Sequence, residues 1–411
     1  MKTKRILAVI LAVLICISIT ACGNTDTTQP STQPVSTVEA TTPPPTQTLI
    51  SEESPLDILE WVECNGYELD ESQPVKNIIL MIGDGMGENI ITNAEIVKGS
   101  PLATSFMPYT CHVGTDSLDG TTDSAAASTA ISCGIKTDNE SIGVDKDDNP
   151  VETIVEFSKA RGLKTGLVAT HLIPHATPAG MVAHHNYRND FNTIMKQMIK
   201  ANVDVMFGGG GEYADTPKMQ TRIEDGGYKY ITTTEEMSTL SKGMTAFGCF
   251  AYHDLNSEET PSLTTMTSKA LELLENDNGF FLMVEASHID IFEAEQDMDK
   301  TLIEMQAFDK AIDYVLTWAQ DNPGTLVIVT ADHETGGVLV PESGKAEDVN
   351  NSCFTSEGEH TSTDVMLFAA GAQAGNLFTK DRIENTEISA IMRKALNDTY
   401  GEAPVTLLNV E

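Results

Sequence analysis

The sequence contains few basic residues. Lys and Arg number 25 against 61 Asp and Glu in 411 residues, which gives a formal net charge of −36. A surface of this charge repels nucleic acids and anionic lipid headgroups, so non-specific binding to either is excluded. The acidic excess is compatible with cation binding, although most of it is expected to be a solvated acidic surface.

Long hydrophobic runs are scarce as well. The N-terminal run, residues 6–19, follows Met1-Lys2-Thr3-Lys4-Arg5 and is too short for a membrane span, but it has the organisation of a secretion signal. It ends in Ile19-Thr20-Ala21-Cys22, which resembles the lipobox of bacterial lipoproteins, where cleavage leaves the cysteine lipidated. The alternative is an ordinary signal peptide with a chance cysteine. We expect export and a lipid anchor on the outer face of the cell membrane, or a periplasmic location if the host has an outer membrane.

Cysteine is also infrequent, with seven in the chain. Loss of Cys16 with the leader and lipidation of Cys22 would leave an odd set of five. These five lack close pairing spacing: Cys64, Cys111, Cys133, Cys249 and Cys353. A disulfide framework and a thiolate metal site are therefore not indicated.

The domain organisation follows from composition. Residues 23–54 are rich in Thr, Pro, Ser and Gln without an apolar period, which is typical of a disordered stalk. We predict a signal peptide over 1–21, a lipidated N-terminus and stalk over 22–74, and one folded domain over 75–411. The hydrophobic content of 40% is sufficient for a core in that domain.

Beyond the stalk, short apolar runs alternate with helical patterns. This alternation predicts an α/β fold with a doubly wound, mostly parallel central sheet and helices on both faces. The predicted strands are Lys76–Ile82, Gly166–Thr170, Val203–Phe207, Gly279–Val284, Thr325–Ala331 and Val365–Ala370. The predicted helices are Thr153–Arg161, Asn192–Ala201, Ser262–Asn276, Met298–Gln320 and Glu387–Leu396. Residues 213–256 show no clear pattern and are interpreted as an insertion after the glycine run 208–211.

Polar residues follow three of the predicted strands. Asp84 follows the first strand, Glu285 follows the strand that ends at Val284, and Asp332-His333 follow the strand that ends at Ala331. The carboxyl ends of parallel strands form the ligand-binding edge of such sheets. Several carboxylates gathered there repel one another unless a cation neutralises them, so the pattern indicates a metal site, although a single Asp after a strand is usually a turn residue.

Further residues extend this pattern. Asp290 and His360 add oxygen and nitrogen ligands of the kind that Zn²⁺ and Mg²⁺ bind. Two metals a few ångströms apart can hold the attacking and leaving oxygens of a displacement at phosphorus. Arg188 can clamp an anion through its planar guanidinium, and Asp123 could orient it, although Arg188 could also be a surface residue.

The candidate nucleophile is Ser124, in the stretch 122–130. This stretch follows the turn-forming Asp119-Gly120 and begins a run of small residues, so Ser124 should lie at or beside a helix N-terminus. Backbone N–H groups and the helix dipole favour an anion at that position. The alternative interpretation is an ordinary N-cap serine on a packing helix.

Taken in order, these motifs resemble those of the alkaline phosphatases, from about residue 75 to about residue 396. The matching motifs are Ile82-Gly83-Asp84-Gly85-Met86-Gly87, Asp123-Ser124-Ala125-Ala126, His175-Ala176-Thr177-Pro178-Ala179, Arg188, Glu285 with Asp290, Thr330-Ala331-Asp332-His333 and Glu359-His360-Thr361. The resemblance implies metal-dependent hydrolysis of phosphate monoesters. It also implies that Ser124 forms a phosphoseryl intermediate and that Arg188 grips the phosphoryl oxygens.

The resemblance further implies up to two zinc ions and one magnesium ion. Their ligands would be Asp84, Asp332 and His333 for the zinc that activates Ser124, Asp290 and His360 for the zinc on the leaving-group side, and Asp84, Thr177 and Glu285 for magnesium. Ser124 itself is expected to contact metal. His175 takes a position where members of the family carry Asp or His, and the imidazole implies a changed magnesium shell.

One position departs from the family pattern. A zinc-binding histidine is expected four residues after Asp290, but this chain has Ala294. Glu293 could take the vacant place, because residues three and four apart share a helix face. Glu295 and His288 are further candidates, and the alternative is a weakened or absent metal.

Three other activities fit parts of this pattern but not all of it. Phosphodiesterase activity on the same scaffold is less favoured, because Arg188 and the third metal cover oxygens that a diester would have esterified. A lipoprotein that binds phosphate without turnover would not need Ser124. A sulfatase would need a Cys- or Ser-x-Pro-x-Arg motif, which is missing around Ser124. The expected partners are small phosphomonoesters, the membrane through a lipid on Cys22 and a second copy in a homodimer, but no nucleic acid.

Overall fold

The computed structural model describes residues 60–255 and 261–407. The predicted signal peptide, Cys22 and the predicted stalk up to residue 54 lie outside the described residues. Ten strands of the described chain form one sheet, and two more, β9 and β10, form a small antiparallel pair. The strands are β1 (Asn77–Gly83), β2 (Tyr109–Gly114), β3 (Lys164–Leu172), β4 (Val205–Gly209), β5 (Lys229–Ile231), β6 (Ala246–Cys249), β7 (Phe280–Ala286), β8 (Thr325–Thr330), β9 (Glu334–Thr335), β10 (His360–Thr361), β11 (Val365–Gly371) and β12 (Arg382–Glu384).

The large sheet has the strand order β12-β2-β11-β8-β1-β7-β3-β4-β6-β5. Among these ten strands, only β11 runs antiparallel to its neighbours. The prediction of a mostly parallel sheet is confirmed, as are all six predicted strands. β1, β7 and β8 are buried almost throughout, as expected of strands covered on both faces.

The helices follow the predicted patterns where those patterns were strong. All five predicted helices are present, and α11 has the predicted bounds. The helices are α1 (Glu88–Lys98), α2 (Ser124–Cys133), α3 (Ile154–Lys159), α4 (Ala176–Gly180), α5 (Phe191–Lys200), α6 (Gly211–Ala214), α7 (Pro217–Asp225), α8 (Thr234–Ser238), α9 (Leu263–Leu274), α10 (His288–Ala294), α11 (Met298–Gln320), α12 (Ala374–Leu377) and α13 (Asn385–Tyr400).

Two groups of helices cover the sheet. α9 and α11 pack on each other, and both contact β7. α3 and α4 also contact β7 and β3, and they pack with α2 and α13 rather than with the first group. This arrangement places α2, which begins at Ser124, in the helical layer opposite α11.

The edges of the sheet contain the strands that the sequence did not predict. β2, β5, β6 and β12 are three to six residues long. The described part of the segment 213–256 contributes α7, β5, α8 and β6, and β6 pairs with β4 to extend the sheet. The segment is therefore an addition to the sheet edge.

The segment before the first strand packs against the domain. The Tyr67 hydroxyl donates a hydrogen bond to Asp313 Oδ1 over 2.7 Å, and the Tyr109 hydroxyl donates to Glu71 Oε2 over 2.8 Å. Residues 60–74, the described end of the predicted segment 22–74, are thus fixed to the domain surface. Within the described ranges, no helix has the length and apolar character needed to cross a membrane, and the five cysteines there are free.

Candidate functional site

Three neighbouring strands deliver the acidic residues to one edge of the sheet. β8, β1 and β7 lie side by side, and Ile82 is level with Glu285 on one side and with Thr330 on the other. Asp84 therefore leaves β1 beside Glu285, and Asp332 leaves β8 on the other side. The predicted convergence of these strand ends is present in the structure.

The reversed direction of β11 adds a residue from later in the chain. Because β11 is antiparallel to β8, its first residues lie at the edge where β8 ends. The preceding pair of short strands, β9 and β10, aligns His360 with Thr335. His360 thereby reaches the same edge, and its ring stacks on that of His333 with 3.6 Å between the centroids.

The described residues contain three groups whose ligand atoms lie within 4.8 Å of one another. They are Asp84, Asp332 and His333; Asp290, His333 and His360; and Asp84, His175 and Glu285. Asp84 and His333 are each shared by two groups, so the three positions form one continuous cluster. The structure thus brings together every predicted metal-binding side chain, with Thr177 and Ser124 beside them in α4 and α2.

Several buried polar atoms of this cluster lack hydrogen-bond partners. Both Glu285 oxygens, Thr177 Oγ1 and His175 Nδ1 have none, and Asp84 Oδ1 and Asp332 Oδ2 have only the His333 Nε2 atom near them, at 3.4 and 3.3 Å. Buried polar atoms without partners are costly in a folded protein. Cations coordinated by these oxygen and nitrogen atoms would offset that cost, so the donor set fits metal ions.

Electrostatics supports the same interpretation. Burial, with the nearby Asp332 charge as a further cause, raises the pKa of Glu285 to about 8. The same two causes raise the pKa of Asp84 well above its usual range. Carboxylates so close together cannot all ionise unless positive charge is supplied.

His360, which forms a group with Asp290 and His333, is held in a defined orientation. His360 Nδ1 lies 2.9 Å from the Thr122 carbonyl, which only accepts, so Nδ1 donates and Nε2 faces Asp290 Oδ1 at 3.4 Å. Burial opposes protonation of His360, but the bond to Asp290 raises its pKa to about 9. Thr335 also donates to Asp290 Oδ1 over 2.5 Å; this contact was not predicted, although Thr335 directly follows the Asp332-His333 motif.

Ser124 is the first residue of α2, as predicted. Asp123 caps this helix by accepting a hydrogen bond from the Ala126 N–H over 2.9 Å. The Ser124 side chain is buried, and its Oγ lies 3.3 Å from His333 Nε2 and 3.5 Å from Arg188 Nη2. The hydroxyl therefore stands between the metal-binding cluster and a guanidinium.

Arg188 is placed by two partners. Its Nη1 lies 3.0 Å from Asp123 Oδ2, and its Nη2 lies 3.1 Å from His175 Nε2. Asp123 orients Arg188 as predicted, while the bond to His175 was not predicted. The guanidinium is directed at Ser124, where it can bind the oxygens of a tetrahedral anion.

The structure separates the three candidates for the place of the missing histidine. Ala294 itself is exposed. The Glu295 side chain is also exposed and lies 3.6 Å from Lys300. His288 turns to the other side, where its Nε2 lies 2.9 Å from Asp254 Oδ2. Neither Glu295 nor His288 reaches Asp290.

Glu293 is the candidate that lies beside Asp290. It is fully buried, and both of its carboxylate oxygens lack hydrogen-bond partners. A Cβ atom on Gly85 would lie 2.9 Å from Glu293 Oε2 and 2.8 Å from Asp290 Cα, which is too close. Gly85 also has a φ of +78°, so the steric contacts and the backbone conformation each favour glycine at this position. Glu293 is nevertheless absent from the three groups of converging ligand atoms.

A stack of imidazole rings, which the sequence did not predict, borders the group formed by Asp84, His175 and Glu285. His171 lies parallel to His175 with 4.3 Å between ring centroids, and His288 follows at 5.6 Å. Burial lowers the pKa of His171 to about 4, so its ring is neutral near pH 7. No sequence pattern indicated this stack, because the three residues come from the end of β3, the loop after it and the start of α10.

Known proteins are similar to this chain both in sequence and in fold. The family model of alkaline phosphatase matches residues 75–350. Alkaline phosphatase 4 of Bacillus subtilis (strain 168) is 35% identical over 311 residues, which cover 70% of this chain and 67% of that protein. Alkaline phosphatase of Escherichia coli (strain K12) is 30% identical over 79% of this chain and 86% of that protein.

Solved structures agree with the sequence relatives. The alkaline phosphatase from the Antarctic bacterium TAB5 superposes with a TM-score of 0.70 at 30% identity, over 80% of this chain and 98% of that chain. A variant of the TAB5 enzyme, in which a histidine is replaced by glutamate, was solved with magnesium bound in its M3 site. It superposes with a TM-score of 0.69 at 31% identity, over 80% of this chain and 99% of that chain.

Proposed function

This chain belongs to the alkaline phosphatase family and hydrolyses phosphate monoesters, and we propose that it does so through a phosphoserine intermediate on Ser124. The observation that supports this mechanism most directly is the position of Ser124 Oγ, which lies within 3.5 Å of both His333 Nε2 and Arg188 Nη2. A nucleophile with an anion clamp on one side and a metal-binding cluster on the other suits displacement at phosphorus.

In this mechanism, Ser124 Oγ loses its proton and forms a bond to phosphorus while the bond from phosphorus to the ester oxygen breaks, and the leaving alkoxide takes up a proton. Arg188 holds phosphoryl oxygens that carry charge throughout the reaction, and Asp123 keeps the guanidinium in place. The free N–H groups at the start of α2 offer further positive potential to the same anion. Water then displaces the phosphoryl group from Ser124 and releases inorganic phosphate.

The family is metal dependent, and we propose that this chain holds up to two zinc ions and one magnesium ion. Asp84, Asp332 and His333 would hold the first zinc, and Asp290 with His360 the second. When bound, these cations neutralise the charge that develops on the attacking and leaving oxygens.

The third cation position includes a nitrogen ligand, so it would bind magnesium less well than a position formed by oxygen ligands alone. Asp84, Glu285 and the neighbouring Thr177 offer hard oxygen ligands, whereas His175 offers an imidazole. We propose that His175 modifies the magnesium shell.

Covalent trapping tests the proposal. The purified protein is incubated at low pH with a ³²P-labelled aryl phosphate and quenched in acid, and turnover is measured for a monoester and a diester in parallel. Wild type should carry acid-stable label and prefer the monoester, while Ser124→Ala should carry none. Ser117→Ala, in the partly exposed loop before α2, is the matched control and should be labelled like wild type. Stable label on Ser124→Ala would place the nucleophile elsewhere, and preferential turnover of the diester would favour phosphodiesterase activity.

We also propose that the chain is exported and held at the membrane by a lipid on Cys22, and that it forms a homodimer. The anchor is supported by the apolar segment 6–19 and the sequence Ile19-Thr20-Ala21-Cys22. The homodimer rests on the family resemblance.

A further inference from the structure

His184 is a buried histidine near the site that the proposed mechanism does not use. Only 4% of its surface is exposed, and it lies four residues before Arg188 in the chain. The residues that follow it, from 185 to 190, are exposed or partly exposed. His184 is therefore the last buried residue before the segment that carries the anion clamp.

Both nitrogens of the His184 ring face acceptors. Nδ1 lies 2.6 Å from the Gly143 carbonyl oxygen, which can only accept, so Nδ1 carries a hydrogen. Nε2 lies 3.1 Å from Glu156 Oε1, so a second proton must lie between the ring and this carboxyl group. Burial opposes a charge on the ring, but the bond to Glu156 and its charge raise the pKa of His184. The ring is thus held on both sides, by the loop around Gly143 and by α3.

The loop around Gly143 connects His184 to the helix that presents Ser124. The Gly143 N–H donates to Thr129 Oγ1 over 2.9 Å, and Thr129 lies in α2, whose first residue is Ser124. A Cβ atom on Gly143 would lie 2.0 Å from the Ala183 carbonyl oxygen, and Gly143 has a φ of +59°. Glycine therefore allows this loop to approach the backbone before His184 closely.

The backbone around His184 is fixed as well. Gln197 in α5 accepts from the His184 N–H over 2.7 Å and donates to the His184 carbonyl over 2.9 Å. His185 exchanges two backbone hydrogen bonds with Ile142, over 2.7 and 2.8 Å. Farther along the chain, Asp190 caps α5. The segment between these two anchors is the one that carries the guanidinium.

We propose that His184 is a positioning residue for the anion clamp. By bridging Gly143 and Glu156, its ring fixes the start of the segment that carries Arg188. Arg188 Nη2 lies 3.5 Å from Ser124 Oγ, and a misplacement of about 1 Å can lower a rate by up to about 100-fold. The inference rests on the proposed function, since it requires Arg188 to bind the phosphoryl group.

A double-mutant cycle tests whether His184 acts through Arg188. Wild type, His184→Ala, Arg188→Ala and the double variant are compared by kcat/KM for an aryl phosphate and by Ki for inorganic phosphate. His184→Ala should lower kcat/KM and weaken phosphate inhibition about tenfold in the wild-type background. When Arg188 is already replaced, the same change should have an effect below about twofold.

The melting temperature is measured for the same four proteins. It should fall by the same amount in both backgrounds, because the contacts that His184→Ala removes do not include Arg188. Equal kinetic effects in the two backgrounds would overturn the positioning role, since His184 would then support the rest of the site instead. If Arg188→Ala alone changes neither kcat/KM nor Ki, the clamp of the proposed function fails, and this inference fails with it.

Variants of Glu156 cover the case in which His184→Ala does not fold. In Glu156→Gln, the amide N–H can donate to Nε2 of a neutral ring, and the amide oxygen can accept from the Thr153 N–H, which Glu156 Oε2 accepts over 2.8 Å. This variant should keep kcat/KM within about twofold of wild type. Glu156→Leu, which cannot hydrogen-bond to the ring, should lower kcat/KM about tenfold, but not when Arg188 is replaced. Equal values of kcat/KM in Glu156→Gln and Glu156→Leu would overturn the proposal.

Discussion

Asp123 uses its two carboxylate oxygens for two different tasks. Oδ1 accepts a hydrogen bond from the Ala126 N–H over 2.9 Å and caps α2, whereas Oδ2 lies 3.0 Å from Arg188 Nη1. One side chain thus fixes both the start of the helix that presents Ser124 and the guanidinium directed at it. Asp123 therefore links the position of the nucleophile to that of the anion clamp, which His175 also holds.

Asp123→Asn should separate these two tasks. Asparagine caps helices as well as aspartate does, so the melting temperature should change little. The charge on Arg188 loses its partner, and for a pair at this partial exposure we expect a loss of roughly 1 kcal/mol, or about fivefold weaker inhibition by phosphate. Inhibition constants and thermal unfolding measure the two effects. The control Asp119→Asn, on an exposed residue of the preceding loop, should change neither; a large drop in melting temperature for Asp123→Asn would show that the Arg188 pair also holds the fold.

Glu293 and Ala294 give a second test. Glu293 lies beside Asp290 but outside the converging ligand groups, so the place of the missing histidine should be vacant. Glu293→Gln, which keeps the size of the side chain, should leave bound zinc unchanged. Ala294→His should strengthen zinc binding by roughly tenfold and raise turnover at limiting zinc. Metal content after dialysis against buffered Zn²⁺ measures both. Reduced zinc in Glu293→Gln, together with no gain in Ala294→His, would instead identify Glu293 as the replacement ligand.

Metal binding should release protons. In the metal-free protein, the raised pKa of Glu285, about 8, and that of His360, about 9, mean that both groups hold a proton at pH 7. Cations must displace these protons, together with any held by Asp84, whose pKa is also raised, so protons should be released at pH 7, and fewer as the pH rises through 8 and 9. Apparent affinity should accordingly increase with pH over this range. Calorimetry of metal binding in buffers of different ionisation enthalpy counts the protons. Glu285→Gln should release about one fewer; release that is independent of pH would contradict the protonation states.

Cys22→Ala tests the proposed anchor. The variant should lose fatty-acid labelling and move from the membrane fraction to the soluble exported fraction, because the proposed attachment is the cysteine sulfur and the new N-terminus. Metabolic labelling and cell fractionation measure this. Cys64→Ala is a suitable control, since Cys64 is part of the described segment that packs on the domain. Label that persists in Cys22→Ala would exclude this assignment.

The central sheet and much of the site could be predicted because their signals are local. β1, β7 and β8 are continuous apolar runs, and the carboxyl ends of adjacent parallel strands must meet at one edge. Asp84, Glu285 and Asp332 could therefore be placed together before any coordinates were known.

The features that the sequence did not predict are very short strands and contacts between residues that are far apart in the chain. β5 and β12 are three residues long, too short for an apolar period. The direction in which Glu293 points depends on how α10 is rotated against Gly85, and the bond between Arg188 and His175 depends on the loop that joins α4 to α5. Spacing along the chain predicted that Glu293 could approach Asp290, but it could not decide whether the carboxylate joins the ligand cluster.

The antiparallel strand β11 has a consequence for the order of assembly. β2 occurs early in the sequence, but in the sheet it is separated from β8 by β11, so it can join the sheet only after residues 365–371 have arrived. His360 reaches the cluster through the same late segment. If the chain is exported as proposed above and crosses with its N-terminus first, this edge would remain open until nearly all of the chain has crossed. Tight cation capture would then be a late event, and it would mark the completion of folding on the far side of the membrane.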